Sequence, residues 1–532
     1  MISPLAQVWP QPIAPVHSLA ASALVAVIPL LVVLLLMGVL QRSGLLASAF
    51  GLATAGILAI GVWGMPAKLA GWSVVFGFAY AAWSILWTVF NALWLYNLTV
   101  DNGSFELLRR WVEHHASGEA CTQAILVAFC FGALLEGTAG FGAPVAVTAF
   151  LLVGLGFTAR KAVVVSLIAN TAPVAFGALG VPIVALAGVT GLDIAKLSTM
   201  AGRQLPFLSF ILPAYIAVVV AGWKGMWRSF PVALVAGSSF AAVQFLVSNL
   251  WGPYATDIAS SLVAIACVTA YLRIRRAASL SGGDMPERIS GGAAFRGWWP
   301  WIALSLVMIL WSFLKLFQKG QIPVAIPSLH NGILITLYHR AYAAIFVFQP
   351  LAGGTAVLAA CVLTALTFRS RPTAFLAAGG KALRQLRLPG LTVLFIVGLA
   401  YLYNYSGMAF TLGAAVARTG VIFPLVSSYL GWVACFLSGS DTSSNLLFGN
   451  LQVAAAHQLH LSPVLMAVTN SSGAVTGKMI SPQNIAIGVT TVGMVGQEGK
   501  VLHSTFWHSV LLAALIGLLA YAQAHFLSGM VP

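Results

Sequence analysis

The sequence predicts an all-α fold, a polytopic transmembrane helical bundle of about 12–14 spans with an inverted repeat and broken or re-entrant helices. Three observations carry this expectation. Of the 532 residues, 60% are hydrophobic and only 7% charged, whereas a soluble globular chain carries about 25% charged residues. Apolar runs near the ~20 residues a helix needs to cross a bilayer recur from one end of the chain to the other. A polar, glycine-rich motif occurs twice within that apolar background. Mean hydropathy is +0.95. This composition excludes a disordered chain, a disulfide scaffold and an ordinary soluble enzyme.

The candidate runs are 19–40, 44–62, 71–96, 121–135, 140–156, 162–180, 205–222, 230–250, 255–272, 298–317 and 343–368, then 388–408, 420–437, 444–456, 463–477, 483–496 and 505–527. Several are too short to span alone, which is why broken or re-entrant segments are expected among them. The first basic residue, Arg42, follows the first apolar run. The basic region of a cleavable signal peptide is therefore missing, and the N-terminus is expected outside with Arg42 inside. Basic clusters follow at Arg109–Arg110, Arg160–Lys161, Lys224/Arg228, Arg273/Arg275/Arg276 and Arg369 to Arg387. Two runs fit between most neighbouring clusters, so all can face the cytoplasm together. The net charge of +15 then reads as membrane topology and not as affinity for nucleic acid.

The polar stretches 273–297, expected as a cytoplasmic loop, and 319–341 flank the run 298–317. Neither is long enough to form a soluble domain, so residues 1–532 read as one membrane unit. Residues 105–116 have the pattern of a short amphipathic helix at the interface. The cysteines at 121, 130, 267, 361 and 435 lie in apolar stretches without metal-ligand spacing. They read as small buried hydrophobes, and no metal or cofactor is called for.

Self-similarity supplies the functional signal. N-T-A-P-V-A-F-G-A-L-G-V-P (170–182) matches N-S-S-G-A-V-T-G-K-M-I-S-P (470–482) at one offset, pairing Asn170, Gly177 and Pro182 with Asn470, Gly477 and Pro482; Thr171 faces Ser471. Upstream, Cys130, Phe131 and Glu136 pair with Cys435, Phe436 and Asp441. The repeat cores are assigned to 121–190 and 420–496. The first core follows the inside cluster Arg109–Arg110 and runs outward. The second follows a further crossing, 388–408, and runs inward. Inverted repeats of this kind are common in secondary transporters, whose sites lie at the repeat interface where helices break. Arg418 falls outside in this threading, against the positive-inside bias.

Between Ala120 and Ala159 the only charged residue is Glu136, and between Thr419 and Gly477 the only acidic or basic one, histidine aside, is Asp441. A charge at the bilayer centre costs about 2.5–3.5 kcal/mol on insertion scales, so each is a functional candidate. Desolvation allows either to bind and release a proton near neutrality. The alternative is that they cap broken helices by accepting backbone N–H bonds. Gly137, Gly140, Gly142, Pro173, Gly473 and Pro482 mark the expected breaks. Asn170, Thr171, Ser443, Ser444, Asn445, Asn470, Ser471 and Ser472 are the candidate substrate contacts, with the asparagines alternatively tying helix to helix. Lys478 either attracts an anionic substrate or snorkels to an interface. Ser440–Asp441 beside His457 is a faint pattern for an intramembrane hydrolase.

The strings F-C-F-G-A-L-L-E-G-T-A-G-F-G-A-P-V-A-V-T (129–148), N-T-A-P-V-A-F-G-A-L-G-V-P-I (170–183), G-R-Q-L-P-F (202–207), N-Y-S-G (404–407), S-G-S-D-T-S-S-N (438–445) and T-G-K-M-I-S-P-Q (476–483) closely resemble the bacterial L-lactate permease family, over nearly the whole chain. The resemblance implies an inner-membrane secondary transporter importing lactate, or in some members glycolate, with protons. It departs at Leu337–Tyr342, where the family pattern carries an acid and this chain has none, and at 346–349, where expected charges are missing. The reading is a proton-coupled importer of a small 2-hydroxymonocarboxylate. Glu136 and Asp441 are the proton candidates; sodium coupling is the alternative within transport.

Overall fold

The computed structural model describes residues 8–36, 40, 42–116, 118–138, 143–278, 290–316, 319–336, 339–494 and 497–532. About 81% of the structure is helical. Among the described residues, nine helices are long and apolar enough to cross a membrane, or ten if the bent pair Ala159–Ala169 and Val174–Thr190 forms one span. These elements are fewer than the apolar runs because some contain two runs and others are short. Runs 205–222 and 230–250 belong to one 57-residue element, Ile194–Leu250, which turns at Gly222. The helices Leu19–Leu34, Pro144–Gly154 and Gly353–Thr367 are too short by themselves.

The 319–341 stretch and the start of the expected run 343–368 are partly extended instead. Strands Ile322–Ala325 and Ile345–Phe348 pair antiparallel, with Ile322 opposite Phe348. Strand Ile333–Ile335 pairs with Trp9–Pro10 on one side and Arg340–Ala341 on the other. The expected loop 273–297 is entered from both ends by the helices Thr256–Ala278 and Gly291–Phe313; residues 279–289 lie outside the described residues. The amphipathic segment is the helix Ser104–Ala116. Its Glu106 pairs with Arg109 and Arg110 at 2.8 and 2.9 Å, and the Arg109 hydrogen bond draws the Glu106 carboxyl down to about 2. Trp111 of the same helix packs edge-on against Trp298 at 5.0 Å.

Helix ends follow from local chemistry. Ser440, Ser462 and Ser481 each accept an N–H from three residues on, and Pro463 and Pro482 begin the helices that follow the last two. The Phe423–Ser438 and Pro463–Gly477 helices touch backbone to backbone. A Cβ on Gly473 would lie 2.0 Å from the Ser428 carbonyl oxygen, and one on Gly477 2.3 Å from that of Trp432. Only glycine permits this approach, the small-residue packing typical of membrane helices.

One helix is set apart by what surrounds it. The most apolar window of Ala120–Thr138 is 94% buried, against 28% for Gly44–Gly61. It lies inside the protein and not against lipid, which is where a membrane helix can carry an acid. Its first half, Ala124–Phe131, is a π-helical turn leading directly into Gly132–Thr138.

Candidate transport site

Both copies of the sequence motif interrupt their helices, the first at two places and the second at one. In the first, the Ala159–Ala169 helix ends at Asn170, and the chain turns by 66°. A single left-handed turn follows at Ala178 (φ 44°), Leu179 (φ 62°) and Gly180 (φ 73°). In the second, the Pro463–Gly477 helix gives way to a 3-10 turn at Lys478–Ile480. At the offset of 300 that aligns the motifs, 178–180 and 478–480 coincide, and Pro182 and Pro482 each lie just beyond. Pro173 lies in the bend of the first copy. Gly140 and Gly142 are outside the described residues.

The acids sit beside these breaks. Glu136, in the last turn of Gly132–Thr138, accepts from Lys478 Nζ at 2.7 Å through Oε1 and from Asn170 Nδ2 at 2.9 Å through Oε2. The Lys478 and Glu136 side chains are 8% and 4% exposed, so the lysine does not snorkel. Gly177 makes room for the carboxylate, since a Cβ there would lie 2.7 Å from Oε1. The pair joins the two copies: its acid comes from the first and its base from the second.

Asp441 occupies the first turn of Asp441–Gln458, where the helix dipole favours negative charge. Its Oδ2 accepts from Ser471 Oγ at 2.8 Å, while Oδ1 is buried with no partner. The cap of this helix is Ser440 and not the acid. Around Asp441 runs an amide–hydroxyl network. Asn445 Nδ2 donates to Ser471 Oγ at 3.0 Å and to the Pro182 carbonyl at 3.2 Å. Asn470 Nδ2 donates to Asn445 Oδ1 at 3.1 Å and to Ser444 Oγ at 3.3 Å. Asn170 and Asn470 therefore differ in their partners: the first reaches Glu136, the second Asn445 and Ser444. Ser443 takes part in the cap through its backbone N–H. The buried hydroxyls of Thr171 and Ser472 have no partner.

Three features were not foreseen. Gln452 donates to Asn470 Oδ1 at 3.2 Å, and Gln204 links Thr469 to Gln523. Asp257, in the first turn of Thr256–Ala278, is 1% exposed. Gly137 lies against it, for a Cβ on Gly137 would be 2.8 Å from the Asp257 Cβ. Its sequence signal was available, a lone acid at the start of an otherwise uncharged apolar run. A cavity of about 790 Å³ is lined in part by Val184 and Ala187–Thr190 of the helix that follows the first break. Tyr80, Tyr401 and Asn404 line it and donate to the carbonyls of Val184, Gly188 and Val189.

Membrane-length helices that enclose a buried ion pair and a polar network at two helix breaks define a membrane transporter. The L-lactate permease family model matches residues 22–527, and the chain belongs to that family, whose members are permeases and not enzymes. It is 41% identical to the glycolate permease GlcA of Escherichia coli (strain K12), over 98% of this chain and 99% of that relative. It is 40% identical to the L-lactate permease of Salmonella typhimurium (strain LT2) and 38% identical to that of Bacillus subtilis (strain 168), each over 98% of this chain and 100% of the relative. Among solved structures, the YdaH transporter of Alcanivorax borkumensis superposes with a TM-score of 0.47 at 15% identity, covering 86% of this chain and 89% of that one.

Proposed function

We propose that this protein is a secondary transporter importing a small 2-hydroxymonocarboxylate, L-lactate or glycolate first and D-lactate among the alternatives, with a proton across the bacterial cytoplasmic membrane. The observation that carries the reading is the buried Lys478–Glu136 pair. Among the described residues no other Lys or Arg is buried. A substrate carboxylate has the same chemistry as the Glu136 side chain and competes with it for Lys478. Once displaced, Glu136 is a buried anion without its cation, which costs several kcal/mol unless it takes up a proton. Anion and proton then enter together, and net charge does not move against the membrane potential. The substrate hydroxyl finds donors and acceptors among Asn445, Asn470, Ser471 and Ser444. Thr171 and Ser472 are further contacts, since their hydroxyls lack protein partners. The names of the relatives support the substrate class.

The matching breaks at 178–180 and 478–480 support an inverted repeat with one half-site from each copy, the cores being 121–190 and 420–496. The N-terminus faces outside in this arrangement. Sodium coupling is the second reading, favoured by the unpartnered Oδ1 of Asp441 beside the second break. Uptake of labelled L-lactate and glycolate into proteoliposomes, under an imposed pH or sodium gradient, tests both. A pH gradient alone should drive accumulation in wild type, and Glu136→Gln should exchange substrate without accumulating it. Uptake that follows only the sodium gradient would overturn proton coupling.

A further inference from the structure

Asp257 is a carboxylate for which the structure provides no hydrogen-bond donor. Both of its side-chain oxygens are buried without a partner, although the residue is 1% exposed. It belongs to the site by position. Its Cβ packs on Gly137, the residue after Glu136, and the charged groups that face it are Glu136, from the helix packed against it, and Lys478, from the second break. Glu136 already holds Lys478, leaving no cation for Asp257. An ionised carboxylate placed there would be uncompensated, at a cost of several kcal/mol. A protonated carboxyl is accommodated at much lower cost. The helix of Asp257 is preceded by Gly252, Pro253 and Tyr254, which line the large cavity. Asp257 thus packs against the residue next to Glu136, and the chain just before it lines the cavity.

We propose that Asp257 holds the coupling proton while the Glu136–Lys478 pair is closed, and passes it to Glu136 when a substrate carboxylate takes over Lys478. The proposal rests on the transport reading above. The proton leaves an Asp257 oxygen and joins the freed Glu136 carboxylate. Asp257 is then refilled from the cavity, so one proton enters the site for each anion bound. Charge balances: the substrate anion faces Lys478, and both acids are neutral.

Three measurements on the full-length protein in proteoliposomes test this. With Asp257→Asn, exchange of external labelled L-lactate for internal unlabelled L-lactate should persist and lose the pH dependence seen in wild type, while accumulation driven by a pH gradient is lost. Asp257→Glu should restore accumulation. Accumulation by Asp257→Asn equal to wild type would overturn the proposal, and a wild type that neither exchanges nor accumulates the hydroxy acids would instead overturn the transport reading. The third measurement needs no variant and no substrate. A hydrophobic carbodiimide modifies protonated carboxyls in apolar surroundings, so peptide mapping of treated wild type should find the adduct on Asp257, diminishing as pH rises. An Asp257 that stays unmodified across the pH range, under conditions that modify other buried acids, would also overturn it.

Discussion

Lys478 Nζ lies 2.7 Å from Glu136 Oε1 across the junction of the two motif copies, 342 residues apart in sequence. The pair exists because one helix ends one residue before Lys478 and another ends two residues after Glu136. Both side chains therefore emerge close to helix ends. A buried pair is weak evidence for stability but strong evidence of mutual dependence, because each charge is tolerable only with the other.

Lys478→Met should therefore destabilise the protein more than an ordinary core substitution, by about 3–5 kcal/mol. The double variant Lys478→Met/Glu136→Gln removes both charges and should recover much of that loss. Thermal melting of the purified variants in detergent checks this as a double-mutant cycle. Additive losses in the double variant would show that the two groups are not coupled. Neither variant should bind a carboxylate.

Ser471 is the hydroxyl that holds Asp441. Ser471→Ala removes the donor to Oδ2 while Oδ1 is already without one. The loss of a bond to a charged or buried acceptor costs about 1–3 kcal/mol. Ser471→Thr keeps the hydroxyl but adds a methyl group at a fully buried position, so it should retain the bond to Asp441 at a packing cost of about 1–3 kcal/mol. Equal melting temperatures for wild type and Ser471→Ala would remove Ser471 from this role.

The charged residues of the candidate site stand out in the sequence more clearly than their partners do. Glu136 and Asp441 were legible because a charge in a long apolar run has few alternatives to function, and Lys478 because it interrupts a repeat. Their separate partners were not legible. The repeat pairs Asn170 with Asn470, yet Asn170 reaches Glu136 and Asn470 reaches Ser444 and Asn445. The acids align at an offset of 305 and the asparagines at 300, so equivalent residues cannot meet equivalent neighbours. Asp257 escaped notice because it opens its apolar run and does not interrupt it. Apolar runs also do not reveal how neighbouring helices are joined, as at the kink of Gly222, or where a run opens with strand pairing, as at 345–348.

Ala178 and Leu179 are held in the left-handed region within the first break. For residues with a Cβ this costs about 1–2 kcal/mol each. Leu179 is fully buried and its side chain is needed for packing, but Ala178 contributes only a methyl group. Ala178→Gly should relieve strain and raise the melting temperature, against the usual effect of placing glycine in a helix. A lower melting temperature would mean that the methyl contact outweighs the backbone strain.

Glu136→Gln separates binding from coupling. In wild type, a substrate carboxylate must displace the internal carboxylate from Lys478 before it can bind. Glutamine keeps the shape and can still accept from Asn170, but it is neutral, so Lys478 loses its internal competitor. Substrate affinity in the exchange mode should therefore rise. Each unit of differential binding worth about 1.4 kcal/mol is tenfold in affinity, and competition by a buried carboxylate amounts to at least that much on the scale of buried charge pairs. Half-saturation for L-lactate exchange should thus fall in Glu136→Gln, while accumulation driven by a pH gradient disappears because the displaced group no longer takes a proton. A variant that binds substrate more weakly than wild type would show that Glu136 contacts the substrate directly and does not compete with it. The comparison with Asp441→Asn sharpens the result. Asp441 is bonded to the Ser471 hydroxyl and makes no ion pair with Lys478, so its neutralisation should change half-saturation less than that of Glu136.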